Sequence, residues 1–184
     1  MTLREGLLAG RAIALAGEVR EPVRAGLTGL GARVELVPPD LPLEEDAVGA
    51  WSRDQARLDA VVFDARGAFG NGGPDGLAAA LELAWAAVRE VASGALIPGQ
   101  APGKVVLIGP RPDAGPMADA VRAGLENLAR TLSVEWARYQ ITTTTIAPGA
   151  ATTDEAIAQL VAFVCSPAGE YLSGCRLDLG VAAA

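Results

Sequence analysis

The chain has no histidine and only one lysine, Lys104. Without an imidazole there is no Ser-His-Asp triad, no histidine general base and no histidine-bound metal, and we expect no metal site. Two cysteines, Cys165 and Cys175, fit neither a disulfide framework nor a paired-cysteine metal site. Each sits in an apolar segment and reads as a small buried hydrophobe. Long apolar runs are missing too. The stretch Leu77 to Val88 is interrupted by Glu82 and falls well short of the roughly 20 residues that a membrane helix needs. Met1 to Gly10 shows no sustained apolar segment, so we expect no signal peptide and a cytoplasmic location. The net charge is −7, which argues against a nucleic-acid or anionic-membrane surface.

What remains is a chain of 184 residues that is 51% hydrophobic and 20% charged. That is one domain by size (residues 1–184), with enough apolar material for a core. Short apolar or β-branched runs alternate with helical patterns. Strands are predicted at Ala12–Ala16, Arg33–Val37, Ala60–Phe63, Val105–Ile108, Ile141–Ile146 and Cys175–Leu179. Helices are predicted at Val23–Leu30, Glu44–Leu58, Leu77–Ala92, Met117–Tyr139 and Glu155–Cys165. Continuously apolar strands belong in a parallel sheet covered on both faces. Alternation with helices implies right-handed crossovers and an α/β, Rossmann-like, doubly wound sheet.

In the second half the sequence resembles the short-chain dehydrogenases/reductases. Leu125-Glu126-Asn127-Leu128-Ala129-Arg130-Thr131-Leu132-Ser133 through Ala137 looks like the long helix after that family's active-site tyrosine. Ile146-Ala147-Pro148-Gly149 looks like its proline-glycine loop, with Thr153 where a threonine meets the nicotinamide amide. Tyr171-Leu172-Ser173-Gly174 and Leu177-Asp178-Leu179-Gly180 are similar to its closing strand. The resemblance implies a Rossmann-like sheet. Only one crossover fits between Arg33 and Phe63, so a strand and helix of the adenosine half are expected to be missing. Six parallel strands should then lie in the order 2-1-3-4-5-6, with a switch point beside Gly17.

The chemistry that the resemblance implies is not carried over. Ala118 and Arg122 stand at the family's tyrosine and lysine, Gly109-Pro110-Arg111 where its serine should follow a strand, and Ala80 near its asparagine. Tyr139 and Tyr171 match positions outside the active site. Of the three glycines of the family's phosphate loop, Gly17 is kept, while Glu21 and Val23 replace the other two. Those glycines let a diphosphate approach the backbone at a helix N-terminus. Here Glu18 and Glu21 are expected to cap that helix from within, with Arg20 and Arg24 softening the charge. Phe63-Asp64-Ala65-Arg66 replaces the family's asparagine-rich turn. Only Asp154 separates Thr153 from the next predicted helix, leaving no substrate lid. For the ribose-reading acid, either Val37-Pro38 replaces it or Asp40 matches an adenine-contacting aspartate.

The expectation is therefore a non-catalytic structural or regulatory subunit that binds no cofactor, with Gly17, Pro148, Gly149 and Thr153 as vestiges of a nucleotide site. Two alternatives stand beside it. One is an NAD(P)-dependent oxidoreductase using Asp64, Arg66 or Arg111; the other is a nucleotide-sensing module with NAD or NADP weakly held. In the family, two helices pair with their copies around a twofold axis. The counterparts here, Leu77–Val91 and Met117–Tyr139, carry apolar and small-residue surfaces (Leu81, Ala84, Trp85, Val88; Ala120, Ala123, Gly124). They are expected to form the contact of a homo-oligomer, or of a hetero-oligomer with an active relative.

Overall fold

The computed structural model describes residues 3–38 and 47–180. Six strands form one all-parallel sheet: β1 (Ala12–Gly17), β2 (Arg33–Leu36), β3 (Ala60–Asp64), β4 (Gly103–Ile108), β5 (Ile141–Ala147) and β6 (Cys175–Asp178). Their order is 2-1-3-4-5-6, as the missing crossover required. The chain steps from β1 to one side for β2 and to the other for β3, so the strand ends part beside Gly17. Asp40 and the first three residues of the predicted helix Glu44–Leu58 lie outside the described residues.

The apolar runs become strands because both sheet faces are covered. Ile13, Leu15, Val62, Val106, Ile108 and Ile146 pack against α1 (Glu21–Gly29) and α6 (Asp154–Cys165) through Val23, Leu27, Ile157 and Val161. Ala14, Val61, Phe63, Val105 and Leu107 face the opposite layer. That layer holds α2 (Ala47–Arg53), α3 (Ala65–Phe69), α4 (Gly73–Val91) and α5 (Ala118–Glu135). At roughly 25 cal/mol per Å² of apolar surface, these two cores are the main favourable term in folding.

Two helix starts differ from expectation for local reasons. α4 begins four residues earlier than predicted, at Gly73. Gly72 and Gly73 turn the chain with φ of 89° and 83°, and Pro74 suits a first helical turn. α3 was not anticipated: the Asp64 carboxylate accepts from the Arg66 backbone N–H at 3.1 Å and starts a single turn directly off β3.

Strand β5 carries four consecutive threonines, all buried or half-buried. Thr143 Oγ1 donates to the Ala129 carbonyl (2.5 Å) and Thr145 Oγ1 to the Leu125 carbonyl (3.2 Å), both on α5. The hydroxyls are thereby satisfied, and polar residues sit in a central strand without leaving an unpaired group.

Candidate functional site

The strand ends that carry a site in this topology meet at Gly17. Its φ is +77°, and a β-carbon there would lie 2.5 Å from the Asp64 carbonyl oxygen. The glycine is needed because the ends of β1 and β3 pass so closely. Glu18, which follows it, lies over Gly67 of α3, where a β-carbon would come within 2.4 Å of the Glu18 Cβ. On the apolar side of that contact is a cavity of about 350 Å³. Ala16, Val37, Pro38, Val48, Phe63 and Leu83 are among its lining residues.

The turn into α1 departs from the expected internal cap. Arg20 is the cap residue, and no side chain bonds the first-turn N–H groups. The Glu21 carboxylate instead accepts twice from Arg24, at 2.8 Å each, on the exposed side of the helix. Those bonds hold its pKa below the usual carboxylate value. Val23 is fully buried in the α1–α6 core. Neither Glu21 nor Val23 fills the space left by the glycine it replaces: Glu21 is engaged outward and Val23 points into the core.

On the other side of α3 the strand ends carry a network of arginines and aspartates. Arg66, 4% exposed, donates from Nε and Nη2 to the two oxygens of buried Asp64 at 2.8 and 2.6 Å. Its Nη1 reaches Asp154 at 2.5 Å. Arg20 Nη1 approaches the same carboxylate at 3.3 Å and Arg111 Nη2 at 3.6 Å. Burial by itself would raise the Asp154 carboxyl. The hydrogen bond and charge of Arg66, reinforced by Arg20, outweigh it and hold the group below its ordinary range. Arg20, Arg66 and Arg111 border a cleft of about 280 Å³, with Gly70, Pro110, Asp113, Ala114 and Ala150.

The residues that sequence reasoning assigned to a vestigial nucleotide site mostly hold loops. The Pro148 carbonyl accepts from Arg122 Nη1 at 2.6 Å. The Gly149 N–H donates to Thr152 Oγ1 at 2.8 Å, and that hydroxyl donates to the Leu179 carbonyl at 2.9 Å. Thr153 caps α6, its Oγ1 accepting from the Ala156 N–H at 3.2 Å. Gly17 lies at the apolar cavity, whereas Pro148, Gly149 and Thr153 cluster where β5 passes into α6.

At the positions matching the family's tyrosine and lysine, Ala118 is buried in the first turn of α5. Arg122 Nη1 donates to the carbonyls of Pro110 (2.8 Å) and Pro148 (2.6 Å), tying the loops after β4 and β5 together. Tyr171 is 95% exposed, and Ala80 is buried in α4. Sequence reasoning missed the Asp64–Arg66–Asp154 connection. Asp64 and Arg66 were visible as an acid and a base two residues apart, but nothing local pointed to a partner 88 positions away. Among the described residues no group of three or more His, Cys, Asp or Glu is placed to hold a metal. No helix among them is long and apolar enough to cross a membrane.

No family model and no curated protein sequence matches the chain. Solved structures do match. A short-chain dehydrogenase/reductase from Serratia marcescens is 19% identical, covering 94% of this chain and 97% of its own, with a TM-score of 0.74. The Pseudomonas aeruginosa RhlG/NADP active-site complex is 19% identical over 94% and 95%, with a TM-score of 0.70. A hydroxysteroid dehydrogenase from Escherichia coli is 17% identical over 95% and 97%, with a TM-score of 0.76. The NADP complex on this same fold overturns the expectation that the chain takes no cofactor. The physical error lay in Glu21 and Val23, which do not occupy the space assigned to them. From strand order to closing strand, this chain has the fold of the short-chain dehydrogenases/reductases.

Proposed function

We propose that the protein is a dinucleotide-binding subunit of reductase fold that does not perform the reductase's proton transfer, and that it acts in a regulatory or structural role in the cytoplasm. The observation that carries this reading is the pair Ala118 and Arg122. A methyl group has no proton to give, and the guanidinium beside it is fixed on two loop carbonyls. Loss of a positioned proton donor lowers a rate by roughly 10²–10⁴-fold.

The residues at the strand ends fit a dinucleotide. The apolar cavity beside Gly17 suits a flat heteroaromatic ring, and the Arg20 guanidinium at the start of α1 suits a diphosphate. Glu18, an exposed side chain on Gly67, must swing aside. NAD or NADP, when bound, would supply a transferable hydride. The chain's own residues would hold it at Gly17 and Arg20, while Thr153 stays committed to capping α6.

Pairing through α4 and α5, with a second copy or with an active relative, belongs to the same reading. Trp85 is 41% exposed on α4, and Ala120 and Ala123 are exposed on α5. The surface is narrower than the sequence suggested. Ala84 and Val88 are fully buried in the chain's own core. Gly124 is already covered by Leu81, which a β-carbon would meet at 2.8 Å.

Calorimetry with NAD⁺, NADH, NADP⁺ and NADPH, coupled to an assay of NAD(P)H consumption over aldehydes and ketones, tests the proposal. We expect saturable binding of at least one nucleotide and no consumption above the uncatalysed rate. Turnover with any of these carbonyl compounds would restore the oxidoreductase reading, and no binding of all four nucleotides would remove the dinucleotide.

A further inference from the structure

We infer that the open edge of the sheet, strand β2, is an interface at which a second copy of this chain pairs antiparallel about a twofold axis centred on Val34. β2 ends the sheet on one side and, among the described residues, pairs with β1 alone. Arg33 and Val37 donate their backbone N–H groups to the Arg11 and Leu15 carbonyls, at 2.8 Å each. Alternate residues therefore turn toward β1, while Val34 and Leu36 turn their N–H and C=O groups outward. Such a row is a template for another strand, and proteins that keep it free blunt it with charge or proline. Pro38 has no N–H to offer, so the template stops at Leu36.

The charges of this edge do not blunt it against a copy of itself. Arg33 and Glu35 share one face and form an ion pair along the strand, both partly exposed. They cancel, and they stand symmetrically about Val34. With Val34 facing Val34 of the second copy, Arg33 falls opposite the copy's Glu35, and Glu35 opposite its Arg33. These are the positions without backbone bonds, where side chains across an antiparallel pair come nearest. Sliding the copy by two residues sets Glu35 against Glu35 in one direction and Arg33 against Arg33 in the other. A slip of one residue sets outward groups against inward ones and loses the backbone bonds.

The other face of β2 agrees with that register. Val34 is half-buried against the α1–α6 core, and Leu36, on the same face, is 56% exposed. Pairing about Val34 puts Leu36 across from the copy's Ala32, a small residue that leaves the leucine room to lie on the copy's Val34. An apolar side chain left wet in the single chain is thereby covered. A twofold contact of this kind closes on itself and joins two sheets into one. It uses neither the outer side of α4 and α5 nor the nucleotide reading.

The experiment is sedimentation equilibrium of the full chain carrying Ala123→Glu, a change that keeps pairing through α4 and α5 out of the measured mass. We expect a monomer–dimer equilibrium that shifts with concentration. Arg33→Glu alone and Glu35→Arg alone each set two like-charged pairs across the axis and should weaken the dimer about tenfold or more. Mixing these two variants should restore it, because opposite charges then face each other at both contacts. Leu36→Pro removes an outward N–H that takes no part in the bonds to β1, and it should weaken the dimer as well. The charge variants lie at partly exposed positions, so they test the edge even if Leu36→Pro fails to fold. A chain that stays monomeric at every concentration would overturn the inference. So would a dimer that the single charge variants leave unchanged, one that mixing does not restore, or a folded Leu36→Pro chain that dimerises as before.

Discussion

Arg122 shows how one side chain can keep a position and change its work. Its guanidinium bridges the Pro110 and Pro148 carbonyls and so fixes the two loops that border the strand ends. Burial, with the charge of Arg176, pulls its pKa down from the ordinary arginine value, yet it stays charged across the working pH range. Both bonds leave the one nitrogen Nη1, and a lysine side chain ends one bond short of it. Arg122→Lys is therefore expected to lose about 1–3 kcal/mol of stability in urea denaturation, the cost of leaving one buried carbonyl unpaired. Asp154 gives a pH-dependent counterpart. Its folded pKa is depressed, so its contribution is complete above the ordinary aspartate value near pH 4 and fades as pH falls through the folded value. Asp154→Asn should accordingly be less stable than the native protein at pH 7. In melts at a series of pH values the difference should shrink to nothing at strongly acid pH. Cys165 is inert by the same kind of reasoning: burial pushes its thiol up to about 12, and a thiol reagent should reach it only on unfolding.

At the scale of elements, the strands were readable because each is a short apolar run whose two faces are both covered. The sheet order followed from the family resemblance together with the single crossover that fits between β2 and β3. The turn into α1 was not readable. Sequence places Glu21 and Val23 at the family's glycines, but helical phase decides where they point. Position 23 falls on the buried stripe with Leu27, and position 21 falls on the exposed face beside Arg24. Similarly, α3 exists because Asp64 caps it, and a cap at the end of a strand is hard to see in a buried run. These facts reverse a simple engineering idea. Val23→Gly should not open a phosphate site; it removes a fully buried side chain from a helix and is expected to cost about 2–4 kcal/mol in chemical denaturation. Glu18→Ala should instead strengthen nucleotide binding in calorimetry by several-fold, because it removes a carboxylate from beside Gly67.

At the scale of the whole molecule, the helix pairing proposed above concerns the outer side of α4 and α5. Trp85 lies there with Arg89 over its ring at 5.8 Å, and Ala123 is exposed on the neighbouring helix. In that proposed pairing Ala123→Glu should place a charge in the contact and lower the particle mass measured by light scattering; an unchanged mass would count against the pairing. How α5 came to be held so firmly follows from the threonines of β5. Thr143 and Thr145 are two residues apart on the strand, a span of about 6.6 Å. Their acceptors, Ala129 and Leu125, are four residues apart on the helix, about 6 Å along its axis. The two spacings nearly match, and they run in opposite directions, as a crossover helix returning along its sheet must. The hydroxyls and carbonyls thus act as teeth of equal pitch, so α5 cannot slide by less than a turn along β5 without disengaging both. Sliding is forbidden to Arg122 as well, which rides on that helix and reaches its two carbonyls only in this one setting.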